Sequence, residues 1–441
     1  MSSFFRNVDA RVEPAEEVPV GGRVRDLRAR AVVIDMEEGV VNSLLQGPLG
    51  DLFDHRSMLT DVSGSGNNWA HGYAMYGPKY HDSLVESIRA AAEHCDSLQS
   101  FLVTHSLGGG TGSGVGSYVL GTLADEYPEV YRFNVSVFPS EDDDVVTSPY
   151  NALLSLSKLA EHSDCVFPVE NQALLDICAG IDGQGTRHDR GGAGGGRGVG
   201  VDGQGGAGPG AREAPFDRMN GITASLMLNL TSSVRFEGSL NVDINEITMN
   251  MVPFPRLHFL TTSMSPIWSP GGARGGRAPR GLEQVFSDAL QERNMLVHAS
   301  PRSHTTLACA MLMRGDVSIS DVNRCMARVK KDLRMVSWNR DGFKLGLCSK
   351  PPVGMDQSLL CLQNNTGIQG SFRSMLGRFD KLYSRQFYLH HYTQYIDQAS
   401  FDFAREDVRQ LVDDYRALEG PGAGQAVRRL QPVGVGFGGH P

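Results

Sequence analysis

One stretch constrains this chain more than any other, Ser106–Gly114, which reads SLGGGTGSG. It follows a short apolar run, Phe101-Leu102-Val103-Thr104-His105, and precedes a helical pattern that runs from Val115 to Glu126. That order is strand, glycine loop, helix. Glycine lets the backbone approach a ligand closely. Successive N–H groups at a helix N-terminus then converge on one anion, aided by the helix dipole. The stretch therefore reads as a phosphate cradle. Two common phosphate motifs fail against it. G-x-G-x-x-G would need a glycine where the chain has Ser113, Val115 or Ser117, depending on register. G-x-x-x-x-G-K-[ST] fails because Val115 follows Gly114.

The flanking segments alternate strand and helix. Ala31–Asp35 is an apolar run that ends in an acid, as a buried parallel strand does. Asp35 and Glu37 then fall at its carboxyl end, where doubly wound sheets bind ligands and where carboxylates can hold Mg²⁺. Ser63–Ala70, SGSGNNWA, is a second glycine-rich loop whose asparagines can bond phosphate and whose Trp69 can pin it to the body. Further strands are expected at Arg132–Phe138 and Cys165–Val169, with helices at Leu84–Cys95, Pro149–His162 and from Asn171. The acidic run Pro139–Asp144 lies at the same edge and suits a ribose better than a phosphate, because like charges repel. The alternation predicts an α/β fold with a doubly wound, mostly parallel sheet and helices on both faces.

Elsewhere the pattern changes. Residues 1–29 read as a loop, and 179–213 reads as a disordered Gly/Arg-rich insertion. Phe216–Ser232 is a long helical pattern. Strands at Leu257–Thr262, Thr306–Arg314, Phe343–Cys348 and Ser358–Leu362, with helices between them, predict a second α/β domain. Two amphipathic helices and a Gly/Pro-rich tail, 420–441, close the chain. The expected division is 1–178 for nucleotide binding and 179–214 for the insertion. It continues with 215–371 for the long helix and second domain, 372–419 for the C-terminal helices and 420–441 for the tail.

Charge and cysteine usage narrow the class. The net charge of −9 argues against a nucleic-acid partner. No apolar run is long enough to cross a membrane. Seven scattered cysteines, an odd number with no C-x-x-C pair, fit a reducing compartment.

Several motifs in order resemble the tubulin superfamily. They are SLGGGTGSG, SGSGNNWA, SPYNA at Ser148–Ala152, ENQALLDIC at Glu170–Cys178, GSLNVDINE at Gly238–Glu246 and NMVPFPRLHF at Asn250–Phe259. Within it, SSFFRNVD at Ser2–Asp9, RAVVIDMEEGVVN at Arg30–Asn42, NLTSSVRFEGSLN at Asn229–Asn241 and VSWN at Val336–Asn339 resemble the epsilon branch.

The resemblance implies a GTPase domain, a long core helix, a second domain and C-terminal helices. It implies GTP or GDP with Mg²⁺. Ser106 and Gly108, Gly109, Gly110, Thr111, Gly112, Ser113 and Gly114 would cradle phosphates. Glu37, helped by Asp35, would hold the metal, and Gly66 and Asn67 would approach the γ-phosphate. Asp144 would lie on the ribose side. Asn171 and Asn220 would read guanine, and Phe216 would stack on it, a contact of about 1–3 kcal/mol. Glu246 would act in trans, as the acid that activates water at the nucleotide of the next subunit. Partners would be other tubulins through longitudinal contacts: delta-tubulin foremost, or alpha- or beta-tubulin, or a second copy. The setting would be the cytoplasmic cytoskeleton, at centrioles, centrosomes and basal bodies.

Three departures qualify this. Met1 aligns after the family's first strand, first phosphate loop and first helix, so a chain lacking these is expected to bind GTP poorly. Ser148 stands where other tubulins carry a ribose-contacting Glu. Phe216 replaces a Tyr. Two other readings stay open, a scaffold that binds nucleotide without turnover and a dinucleotide-dependent enzyme.

Overall fold

The computed structural model describes residues 2–9, 11–12, 16–19, 21–140, 143–188, 215–267, 281–419 and 423–430. Residues 189–213 and 268–280 lie outside these, so most of the expected insertion and the second Gly/Arg loop are not described.

The nucleotide-side strands are parallel throughout. β4 (Val33–Asp35) pairs with β5 (Met58–Thr60), with Ile34 opposite Leu59. β6 (Ser100–Ser106), β7 (Tyr131–Phe138) and β8 (Cys165–Glu170) form a second parallel set in that order. Among the described residues the two sets share no ladder. What joins the two sets is their helical layer. Ile34 and Leu59 from one, and Phe101 and Val103 from the other, pack on Met36, Leu84, Ile88, Val119 and Leu123.

The N-terminal residues depart from the loop expectation. β1 (Phe5–Asp9) pairs antiparallel with β3 (Asp26–Ala29) and with the two-residue β2 (Glu16–Glu17). Apolar alternation could not reveal this sheet, because only Val8 among its side chains is buried. Its cross-strand pairs are ionic: Arg25 with Asp9, and Arg6 with Glu17 at 3.3 Å.

The second half is built on a mixed sheet. β10 (Thr305–Gly315) is central, parallel to β11 (Arg334–Met335) and β12 (Phe343–Cys348) and antiparallel to β13 (Gln357–Asn365). β13 in turn pairs antiparallel with β9 (Leu260–Ser265). Every residue of β10 is buried, which its continuous apolar run anticipates. The halves are sewn together where Val166 N–H donates to His258 O at 2.9 Å and Glu170 N–H to Leu296 O at 2.8 Å.

Helices Ser148–His162, Gln369–Tyr383 and Gln398–Ala417 pack on one another. Tyr150 is the hinge of that packing, edge-on to Phe379, Tyr392 and Phe401 with ring centroids 5.4–5.5 Å away. Such contacts contribute about 0.5–1.5 kcal/mol each beyond buried area.

Two helices overrun the sequence reading. Asn171–His188 is one helix, so the first ten residues of 179–213 are helical. In the tail, Ala423–Leu430 is also a helix. It buries Ala426 against the C-terminal helices and pairs Arg429 with Asp414 at 2.5 Å.

Candidate functional site

β6 ends at Ser106, and Leu107 N–H closes onto Val137 O at 3.0 Å. The chain then leaves the sheet as Gly108-Gly109-Gly110. It enters a π-helical turn, Thr111–Val115, before the Gly116–Glu126 α-helix. A second π turn, Gly72–Tyr76, faces the first. The two turns meet through glycine. A Cβ on Gly114 would collide with Trp69 O and stand 2.9 Å from Tyr73 N, and one on Gly110 would collide with Ser65 and the Asn68 N–H. These glycines are therefore required by close approach of two backbones.

The second loop lies directly on the first. Gly64, Gly66 and Asn67 all adopt left-handed φ, +62°, +58° and +52°. Ser65 Oγ is 3.1 Å from Thr111 Oγ1. Asn68 caps the following helix through Ala70 N–H and His71 N–H. Trp69 pins the loop as the sequence suggests: it is buried, its indole donates to Ser117 Oγ at 3.1 Å, and it stacks on Tyr73.

One residue that sequence reasoning passed over joins all these pieces. Asn151, wholly buried, donates from Nδ2 to Asn67 O and to Gly108 O, both at 2.8 Å. Its Oδ1 accepts from Trp69 N–H at 2.9 Å and from Tyr392 OH at 2.7 Å. It sits inside SPYNA, so the motif carried the signal without revealing the role.

Two side chains, one in the cradle and one just before it, are committed to structure. Ser113 Oγ donates to Gly109 O. His105 Nδ1 faces Gly112 O at 2.8 Å, and its Nε2 faces Ser136 Oγ at 3.3 Å. Burial pushes the imidazole down to about 4, only partly offset by the Gly112 bond, so it is neutral. A carbonyl can only accept, which puts the ring proton on Nδ1.

The carboxylates arrange around this centre. Asp35 is half-buried at the end of β4, and Glu37 is exposed at the start of the Glu38–Gln46 helix. A Cβ on Gly64 would stand 2.9 Å from Glu37 Oε1, so Glu37 borders the second loop. On the other flank the acidic run supplies Asp143, one residue before the expected Asp144, which is exposed. Asp143 Oδ2 accepts from Ser148 Oγ at 2.8 Å and lies against Gly108.

The residues expected on the base side fall on two packed helices. Asn171 opens the Asn171–His188 helix, and Phe216 and Asn220 lie exposed on the Pro215–Leu230 helix beside it. Arg218 Nη2 donates to Cys178 O at 3.4 Å across that contact. Phe216 is 70% exposed, an open ring face. Glu246 is elsewhere, in the first turn of Ile244–Met251, which packs on β10. Its Oε2 pairs with Lys344 Nζ at 2.5 Å, so it makes its ion pair inside the second half of the chain.

Parallel strands, a glycine loop opening a helix and carboxylates at the strand ends define a nucleotide-binding α/β domain of the GTPase type. Comparison with known families points the same way. Residues 2–179 match the Tubulin/FtsZ family GTPase domain, and residues 255–376 match the tubulin C-terminal domain. The chain is 48% identical to the human tubulin epsilon chain over 421 residues, covering 95% of this chain and 88% of that one. It is 35% identical to a tubulin beta chain of Coprinopsis cinerea over 396 residues, 88% and 82% of the two chains. It is 33% identical to the tubulin alpha-3 chain of Saccharomyces cerevisiae over 398 residues, 88% and 83%. The chain belongs to the tubulin family. It is a guanine-nucleotide-binding protein of the microtubule cytoskeleton.

Proposed function

We propose that the chain is an epsilon-type tubulin that binds GTP and GDP in the cradle Ser106–Gly114. It serves as a structural subunit in centriole and basal-body assembly and in triplet microtubule organisation. The observation that carries the reading is convergence. Asn151 ties the loop at Gly108 to the loop at Asn67, Ser65 meets Thr111, and Glu37 borders Gly64. Backbone amides, hydroxyls and a carboxylate so arranged suit a phosphate chain and its counter-ion.

Mg²⁺ fits this site as a shared ligand. Among the described residues no group of three or more His, Cys, Asp or Glu side chains could hold a metal alone. Mg²⁺ is commonly held by one or two carboxylates with phosphate and water oxygens. Glu37, with Asp35, would supply that part, and the bound ion would neutralise phosphate charge. Asp144 lies on the ribose side, in the loop where its neighbour Asp143 accepts from Ser148. Asn171 and Asn220 read the guanine edge, and Phe216 stacks on its face.

Glu246 completes turnover in trans. A carboxylate can orient or deprotonate water, and its loss from such a role costs about 10²–10⁴ in rate. Partners are other tubulins, delta-tubulin first, with alpha, beta or a second copy as alternatives at the longitudinal faces. A second reading, a scaffold without turnover, is favoured by one observation: Glu246 is already paired with Lys344 at 2.5 Å. Phosphate release decides between them. Glu246→Gln should leave nucleotide affinity of the isolated protein unchanged and slow release only in assembly with a partner tubulin. Unchanged release in a verified assembly would favour the scaffold.

A further inference from the structure

The loop Ser63–Asn67 is fastened differently at its two ends. Its C-terminal end is fixed to the body of the domain. Asn67 O accepts from Asn151 Nδ2 at 2.8 Å and from Thr147 Oγ1 at 3.2 Å, and Asn68 Nδ2 donates to His391 O at 3.0 Å. Its N-terminal end leaves β5 at Thr60, is tied by Gly64 N–H to Met36 O at 2.9 Å, and carries a small polar cluster.

Asp61 is the centre of that cluster. Its Oδ2 accepts from Lys79 Nζ at 2.6 Å and from Tyr80 OH at 2.7 Å, while Oδ1 accepts from Val62 N–H at 2.6 Å. Tyr76 OH donates to Gly64 O at 3.0 Å. Lys79 Nζ also lies over the Tyr80 ring at 4.6 Å and the Tyr76 ring at 5.4 Å, within cation–π range. The hydrogen bond from Lys79 holds the Asp61 carboxyl far below its usual range, and the same bond raises Lys79. Both are therefore charged at neutral pH.

The cluster is also tied to the cradle. Tyr76 ends the π turn Gly72–Tyr76, and a Cβ on Gly72 would stand 2.6 Å from Gly110 O. One short helical segment thus touches the cradle at one end and grips the second loop at the other.

We propose that Asp61, Lys79 and Tyr80 form the anchor that sets the Gly64–Asn67 loop against the terminal phosphate, and so determine how strongly the chain prefers a nucleoside triphosphate to a diphosphate. The proposal rests on the reading that Gly66 and Asn67 approach that phosphate. The three residues are positioning residues, because they act through the loop they hold. Their effect falls mainly on the terminal phosphate, because their side-chain bonds go to the second loop, whereas their link to the cradle is the backbone packing of Gly72 on Gly110.

The test is a double-mutant cycle on the full chain with fluorescent GTP and GDP. Asp61→Asn removes a charge but keeps an acceptor for Val62. Lys79→Met removes the cation and keeps the stem. An anchor predicts that both substitutions weaken GTP alike, by about two- to fivefold. GDP affinity should not move, which also shows that the variants fold. The double variant should lose no more than either single one. A mere field effect predicts opposite signs: the first makes the site more positive and tightens GTP, and the second weakens it. Opposite signs, an unchanged GTP-to-GDP ratio, or equal losses for both nucleotides would each overturn the anchor while leaving nucleotide binding established. Absence of guanine-nucleotide binding in the wild type would overturn the site reading and the anchor with it.

Discussion

Asn151→Ala should be among the most damaging single changes in the nucleotide half. Alanine keeps the helix Ser148–His162 but removes an amide that makes four hydrogen bonds. The four partners are not equally exposed to the loss. Asn67 O keeps Thr147 Oγ1 as a second donor, so it is not orphaned. Gly108 O, Trp69 N–H and Tyr392 OH lose their bonds to Asn151. A typical hydrogen bond contributes about 0.5–1.5 kcal/mol, and an orphaned buried group costs about 1–3 kcal/mol. Tyr392 OH keeps Thr147 as a side-chain partner, so the two remaining groups suggest roughly 2–6 kcal/mol, against a typical domain stability of about 5–15 kcal/mol. The assay is urea unfolding followed by tryptophan fluorescence, which senses Trp69 directly, together with fluorescent-GTP binding. The urea midpoint should fall, and nucleotide affinity should fall with it, because both loops lose a common tie. Asn151→Asp should also weaken binding, since a carboxylate oxygen would face the carbonyls of Asn67 and Gly108. A change under about 0.5 kcal/mol in Asn151→Ala, with unchanged affinity, would refute the view that this amide holds the site together.

Gly114→Ala should give insoluble or strongly destabilised protein, because its methyl meets the Trp69 carbonyl and Tyr73 N–H; soluble expression with a normal melt would count against the packed π turns. His298 bridges Glu170 Oε2 at 2.7 Å and Asp176 Oδ2 at 3.1 Å. Burial opposes its charge, but these bonds outweigh burial and raise it. The stabilisation is therefore complete below the ordinary value near 6.5 and is lost as pH rises through the raised one. The stability gap between wild type and His298→Asn should be present at pH 6 and shrink by pH 8; a gap that is flat or widens with pH would contradict this. All seven cysteines are free thiols, and only Cys95 is not buried. A thiol reagent should modify Cys95 first in the native state and all seven after denaturation; several fast native thiols would show that the buried strands are open.

The sequence made the cradle readable because its elements are local. A strand, a glycine run and a helix within Ser100–Glu126 need no distant information. β10 was legible for the same reason, as one long apolar run. What stayed hidden is long-range. Tyr392 reaches Asn151 across 241 positions, and no periodicity reports that bond. Asp61 and Lys79 look like two unrelated surface charges until the Gly72–Lys79 turns bring them together. Within the acidic run, which acid bonds Ser148 depends on loop geometry, and it is Asp143, the neighbour of the expected Asp144. β1 to β3 were invisible because charge pairs, not burial, hold them.

The divided sheet gives the two ends of the nucleotide site different local stabilities. β4 and β5 share three paired positions, all half-buried. β10 and β13, by contrast, are paired along nearly their whole buried length. Asp35 and Glu37 continue from β4, and Asp61 and the second glycine loop continue from β5. The residues proposed for the metal and the terminal phosphate therefore continue from a short ladder of three pairs. The cradle and the base-side helices hang on β6, β7 and β8. A cooperative unit of this kind opens locally at a fraction of the global unfolding free energy. Occupancy of the phosphate end then stabilises the unit by mass action, and part of the binding energy goes into keeping β4 and β5 closed. On the proposed site, the molecule would register which phosphates are bound as a change in local order around β4 and β5.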